Sequence, residues 1–290
     1  MTLYDLLISP FADFAFMRRA LAGATALSLS ACPIGVFLML RRMSLTGDAM
    51  AHAILPGAAI GFLISGLALL PMTLGGIMAG LCVALLSGAV SRLTIQREDA
   101  SLAGFYLVSL ALGVLLISLK GSNIDLMHIL FGTVLALNDG ALKLIAWVST
   151  ITLLTLALIW RPLVAECLDP VFLGSVSRIG PTVHFLFLAL VVLNLVGGFQ
   201  ALGTLLAVGL MMLPALSARL WCRRLEAMCL LAAGIGFLSG YVGLLVSYHA
   251  SVASGPAIIL TAGAIYAVSI VAAPQGVIRS RFTPTRHRIA

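Results

Sequence analysis

From about residue 20 to residue 273 the chain is a succession of apolar runs, each close to a membrane's width, divided by short polar breaks such as "RRMSLTGD" and "CRRLE". That pattern constrains the fold more than any other feature. A helix needs about 20 residues to cross roughly 30 Å of hydrocarbon. In hydrocarbon, every backbone N–H and C=O must find its partner inside the protein. Successive apolar runs of this length therefore predict an all-α, polytopic helical bundle. Spans fall at 20–40, 52–70, 72–91, 101–119, 141–160, 182–198, 200–219, 227–247 and 255–273, about nine crossings in all. The run "LMHILFGTVLAL" (126–137) is too short to cross and reads as a re-entrant segment covered by protein.

Composition agrees, with 61% hydrophobic and 9% charged residues against about 25% charged in soluble domains. The short breaks leave no room for a soluble domain, so residues 1–290 read as one transmembrane domain. Residues 1–19 form an interfacial lead-in, and residues 276–290 a basic cytoplasmic tail. The N-terminal stretch has Asp5 and Asp13 ahead of any base and an interrupted apolar run, unlike a cleavable signal peptide.

The net charge of +7 does not point to nucleic acid, because the bases are scattered over many breaks instead of forming one stripe. They sort instead by membrane side. Arg41, Arg42, Arg92, Arg97, Arg161, Arg178, Arg219, Arg223, Arg224 and the arginines of the tail occupy one set of alternate breaks. Only Arg18, Arg19, Lys120 and Lys143 occupy the other. By the positive-inside rule the first set and the C-terminus are cytoplasmic, and the N-terminus lies outside. The five cysteines include no CxxC and read as small packing residues. Glycines recur four apart at Gly57 and Gly61, Gly76 and Gly80, and Gly236 and Gly240, a spacing that lets helix backbones approach closely.

An ionisable group at membrane depth marks a pathway or a paired site. Asp48 and His52 qualify. Four residues apart on a helix that begins near 44–47, they share one face, so carboxylate and imidazole can converge on a cation. Two other readings stay open at this level: an aspartate that caps the second span and a histidine bonded to a backbone carbonyl. Imidazole plus carboxylate suits Zn²⁺, Mn²⁺ or Fe²⁺, whereas Cu(I) prefers sulfur and Ca²⁺ or Mg²⁺ an oxygen shell. Two ligands do not close a site. A two-fold homodimer with the pathway on its axis would supply two of each.

Weaker candidates are Asp125 and His128 in "KGSNIDLMHIL" and His249 in "SYHASVASG", all on the outer side, where solvated loop polar groups are the stronger explanation. His184 and His287 read as incidental, and Asn194 and Gln200 as interhelical hydrogen-bond formers. Neither Lys120 nor Lys143 sits in a GxxxxGK context, so any ATP hydrolysis belongs to another chain. The break at 161–182 suits contact with such a chain. Asp169-Pro170 is a helix start, followed by apolar positions Val171, Phe172 and Val176. A plain connecting loop is the alternative.

The stretch "SLTGDAMAHAILPGAAIGFLI" (44–64) resembles the signature of the zinc/manganese/iron ABC-transporter permeases, in which Gly-Asp-Ala, His and Leu-Pro-Gly open the second helix. "HILFGTVLAL" (128–137), "CLDPVFLGSV" (167–176), "FQALGTLLAVGLMMLPALSARL" (199–220) and "SGPAIIL" (254–260) follow in that family's order. The resemblance covers nearly the whole chain. It implies a homodimeric permease in a bacterial cytoplasmic membrane, paired with a cytoplasmic ATPase dimer and fed by an extracytoplasmic metal-binding protein. It gives metal coordination to Asp48 and His52 and ATPase coupling to Asp169, Pro170, Val171, Phe172, Leu173, Gly174 and Val176. Leu173 and Ser177 stand where small residues are usual in the family, and Ser251 where an acidic one is common. The expectation is ATP-driven import of Zn²⁺, with Mn²⁺ next, and no permanently bound cofactor. A stand-alone gradient-driven transporter or channel is the competing reading. It would require further intramembrane acids or histidines, and beyond the pair the spans offer only His184.

Overall fold

The computed structural model describes residues 3–66, 68–96, 98–119, 137–169, 173–175, 177 and 179–277. The elements among them are helices: α1 Leu3–Leu7, α2 Ser9–Asp13, α3 Ala15–Leu40, α4 Thr46–Ala53, α5 Leu55–Ser65, α6 Leu69–Leu93, α7 Glu98–Leu119, α8 Asp139–Leu168, α9 Gly180–Leu202, α10 Thr204–Trp221, α11 Leu225–Ala250 and α12 Ser254–Ala272. Nine spans among the described residues are long and apolar enough to cross a membrane, α4 and α5 together counting as one. The segment expected to be re-entrant lies outside the described residues except for Leu137, which is buried.

Local sequence explains how the helices begin and turn. Asn138 caps α8 by accepting a 2.7 Å hydrogen bond from the Ala141 amide. Between α9 and α10 the chain reverses through one residue, Gly203, whose φ of 93° a side chain would oppose. The hairpin closes tightly enough that Gly198 rests against Ala207. α3 ends in a Schellman turn, with Arg42 N–H bonded to the Met39 carbonyl and Met43 N–H to that of Leu38. Arg42 takes a left-handed conformation (φ 60°) without being glycine. The first span starts earlier than the hydropathy suggests, at Ala15. Arg18 bonds the Ala12 carbonyl at 2.7 Å, and Arg19 pairs with Asp139 at 3.2 Å.

α3 is the hub of the bundle and is 78% buried over its apolar window, against 22% for α7. Its face packs on α8, α10 and α11. A Cβ on Gly35 would collide with the Met211 carbonyl, and Gly236 of α11 rests on Ser28 and Cys32. The α5–α6 contact is backbone on backbone, Gly57 facing Gly75 and Gly61 facing Pro71. Gly76 and Gly80 receive Ile54 together with Val196 and Val192 of α9. Each glycine pair seen in the sequence thus lies at a helix contact, as expected where dispersion and close approach replace the hydrophobic effect. Asn194 joins α9 to α8 through a 2.7 Å bond from its amide to Thr152 Oγ1, whereas the Gln200 amide nitrogen is buried without a hydrogen-bond partner. All five cysteines are free.

Gly57→Val should cost at least about 1–3 kcal/mol, because the atom in its way is a helix carbonyl that cannot rotate aside. Gly88→Ala, with nothing within 4 Å of the added carbon, should be neutral or slightly stabilising. Thermal unfolding of the two variants in one detergent compares them directly, and equal midpoints would contradict this packing.

Candidate functional site

α4 is a two-turn helix set between the turn that ends α3 and a break in the second span. Its buried side is made of Ala49, Met50 and Ala53, and Gly47 leaves room for the Met211 methyl. The polar side presents Asp48 and His52. Pro56 causes the break, because it lacks the N–H that would bond the His52 carbonyl. Ser109 of α7 bonds the next carbonyl, that of Ala53, at 2.9 Å. Ile54 lies against Gly76 and Gly80 in the middle of α6, so His52, two residues before it, sits at membrane depth.

His52 Nε2 lies 3.9 Å from Asp48 Oδ1. That is too far for a hydrogen bond and a little less than two metal–ligand bonds of about 2.1 Å laid end to end. The imidazole stacks on Tyr106 of α7 with ring centroids 6.3 Å apart, and its Nδ1 is buried without a hydrogen-bond partner. Asp48 is not the N-cap residue, which is Leu45; it lies in the first turn of α4, where a carboxylate also suits the positive end of the helix. Asp48 stands where two cavities meet. One, of about 320 Å³, is lined by Arg42, Thr46, Asp99 and Tyr106. The other, of about 310 Å³, is lined by His52 with Thr204, Val208 and Ile259 of α10 and α12. Among the described residues no group of three His, Cys, Asp or Glu is placed to hold a metal ion. One chain thus brings together two donors, a carboxylate and an imidazole.

The weaker candidates separate. Asp125 and His128 lie outside the described residues. His249 ends α11, where its Nε2 lies 3.1 Å from the Leu6 carbonyl, so it pins the N-terminal segment. Of the stretch expected to contact an ATPase, Asp169 terminates α8. Its carbonyl accepts from the Leu173 amide at 3.2 Å, and that of Leu173 from the Ser177 amide at 2.9 Å; residues 173–175 are helical, with Gly174 exposed. Pro170, Val171, Phe172 and Val176 lie outside the described residues.

A second polar cluster has no signature in the sequence. Arg41, at the end of α3, pairs with Glu166 at 2.9 Å, contacts His184 Nδ1 at 2.8 Å and reaches Cys167 Sγ at 3.2 Å. Its guanidinium carbon lies 4.6 Å above the Phe187 ring. His184 Nε2 is 2.7 Å from Glu98 Oε1 at the start of α7. Arginine has no acceptor, so Nδ1 accepts, and Nε2 carries the proton given to Glu98. These partners are 86 to 143 residues apart along the chain, beyond any local pattern.

Residues 13–273 match the model of the ABC 3 transport family. The chain is 34% identical over 273 residues to the manganese import system permease protein ScaB of Streptococcus parasanguinis, covering 93% of this chain and 96% of that one. It is 32% identical over 280 residues to the manganese transport system membrane protein MntC of Halalkalibacterium halodurans, covering 96% and 93%. The solved structure of PsaBC from Streptococcus pneumoniae in complex with Fab contains a chain 31% identical to this one. It superposes with a TM-score of 0.83 over 94% of this chain and 97% of that one.

Ser109→Ala would leave the Ala53 carbonyl at the break without its hydroxyl donor, a loss of roughly 1–3 kcal/mol for a buried polar group. A lower unfolding midpoint in detergent is the expected reading. An unchanged midpoint would mean that the break is satisfied in another way.

Proposed function

The chain belongs to the ABC 3 transport family, and on that premise we propose that it imports manganese as the permease subunit of an ATP-driven transporter. That the chain is a permease subunit of a divalent-metal importer is supported by the family match across residues 13–273 together with the full-length relatives named for manganese. The observation that carries the proposal is the Asp48–His52 pair, 3.9 Å apart at the meeting of two cavities. A carboxylate and an imidazole form a mixed oxygen and nitrogen donor set, which accepts Mn²⁺ or Zn²⁺.

The expectation of zinc rested on the general affinity order, in which Zn²⁺ exceeds Mn²⁺. Affinity does not decide transport. Two relatives that span nearly the whole chain are named for manganese, and two ligands impose too little geometry to select an ion, so selection falls to whatever delivers it. A second copy of the chain across a two-fold axis would complete the shell with another aspartate and histidine. ATP hydrolysis belongs to a separate chain.

The remaining assignments follow from the charge bias and the span count. With nine candidate crossings among the described residues the termini would lie on opposite sides, and the arginine-rich breaks support a cytoplasmic C-terminus. The 169–179 connection then faces an ATPase dimer, and the connection between α11 and α12 faces an extracytoplasmic metal-binding protein. The gradient-driven alternative needs further titratable groups free to exchange protons, but His184 has both nitrogens engaged by Arg41 and Glu98, and Glu166 is paired with Arg41.

Asp48→Ala and His52→Ala should each lower manganese uptake by more than the roughly 10–100-fold that outer-shell changes cost, at unchanged membrane expression. Uptake and protein level are to be read in the same cells, and normal uptake by either variant would remove the site assignment.

Phe172→Cys should cross-link to the ATPase from the cytoplasmic face. Labelling of Phe172→Cys from outside by an impermeant thiol reagent would overturn both the coupling assignment and the orientation.

A further inference from the structure

Four charged or imidazole side chains meet where α3, α7, α8 and α9 come together, and their burial calls for an explanation. The Arg41 and Glu166 side chains are 8% and 12% exposed, and those of His184 and Glu98 17% and 25%. A buried ion pair returns little net stability compared with apolar residues of the same size. The arrangement is also not a cation site, because the Arg41 guanidinium occupies its centre. What the cluster does is join elements. Glu166 and Cys167 are the last turn of α8 and His184 is in the first turns of α9, so Arg41 holds both stems of the 169–179 connection.

Two arms lead from this junction to the metal pair. The first runs from Arg41 through the Schellman turn into α4. There the bonds from Arg42, Met43 and Thr46 amides to the Met39, Leu38 and Met43 carbonyls leave little slack before Asp48. The second is α7, with Glu98 at its start and Tyr106, which stacks on His52, two turns further on. Asp99 and Tyr106 also line the cavity that Asp48 shares. A displacement of either stem must therefore move both arms or break, at once, the Arg41–Glu166 ion pair and the two hydrogen bonds from Arg41 to Cys167 and His184, since each Arg41 nitrogen has a different partner.

We propose that the Arg41–Glu166–His184–Glu98 network is the joint through which movement of the 169–179 connection reaches Asp48 and His52, its members acting as positioning residues and not as ligands. The inference rests on the proposed coupling of that connection to an ATPase. It differs from that reading in assigning the transmission to these side chains.

The test uses the complete permease–ATPase complex in proteoliposomes, with manganese uptake and ATP hydrolysis measured in the same vesicles. His184→Leu removes both hydrogen bonds at similar volume and should lower metal transported per ATP by about tenfold, within the range by which residues on a coupling network act. His184→Gln, whose amide can accept from Arg41 and donate to Glu98, should return the ratio to within about twofold of wild type. A ratio unchanged in His184→Leu would overturn the joint, even if uptake and hydrolysis fell together, since that pattern is a structural defect. Should His184→Leu fail to reach the membrane, Glu98→Ala cuts the α7 arm at its most exposed member and carries the same expectation. An unchanged ratio there overturns the proposal equally. A wild-type chain that retains no ATPase, or whose ATPase turns over without uptake, would instead remove the functional reading itself.

Discussion

A backbone in hydrocarbon must bond to itself, and the second span breaks that rule at one place. Pro56 takes away the donor for the His52 carbonyl, four residues before it, and the bundle is arranged around the consequence. Such a break is tolerable only where protein covers it. Here Ser109 supplies a donor to the Ala53 carbonyl, and Ile54 is seated between Gly76 and Gly80. The irregular backbone and the intramembrane titratable pair are therefore one feature. The break separates a short helix carrying Asp48 and His52 from a longer one that is locked to α6 through Gly57 and Gly75.

That separation divides the molecule mechanically. α5 and α6 touch backbone to backbone and cannot slide without collision, since packed interfaces of this kind hold discrete arrangements. α4 is only two turns long and rests on methionine side chains, Met211 and Met212, which can adopt other rotamers. It is also tied to α3 by a turn in which Arg42 holds a left-handed conformation, an expense of about 1–2 kcal/mol for a residue other than glycine. A strained, well-bonded turn thus lies on one side of α4 and a methionine seat on another, while its remaining buried side packs against α7.

Much of this was legible in the sequence, for reasons that differ by residue. The spans were visible because hydrocarbon imposes a length, and the Asp48–His52 face because helical periodicity places positions four apart together. Span edges were less secure. Arg18 and Arg19 looked like a border, yet the helix runs through them because Asp139 and the Ala12 carbonyl satisfy them. Likewise α4 begins at Thr46 because Ala49, Met50 and Ala53 give it a buried side despite two titratable residues. His184 looked incidental because no local signal marks its partners, which come from three other helices. His249 had an outer-face position consistent with metal, and only the fold revealed the Leu6 carbonyl beside it.

On the proposed reading, a two-ligand half-site also explains why movement and binding need not be separate steps. One chain offers an aspartate and a histidine, too few to hold a divalent ion firmly against water, and two chains offer a full shell only when their α4 helices stand at the right distance. The position of α4 is set by the turn after Arg41 on one side and by Tyr106 of α7 on the other. What the cytoplasmic end of the bundle controls is then the completeness of the coordination shell, and the affinity of an individual ligand can stay constant through the cycle. An ion is held while the shell is closed and released when α4 moves by a distance comparable to one metal–ligand bond, about 2 Å. That displacement is small enough for a side-chain network to transmit.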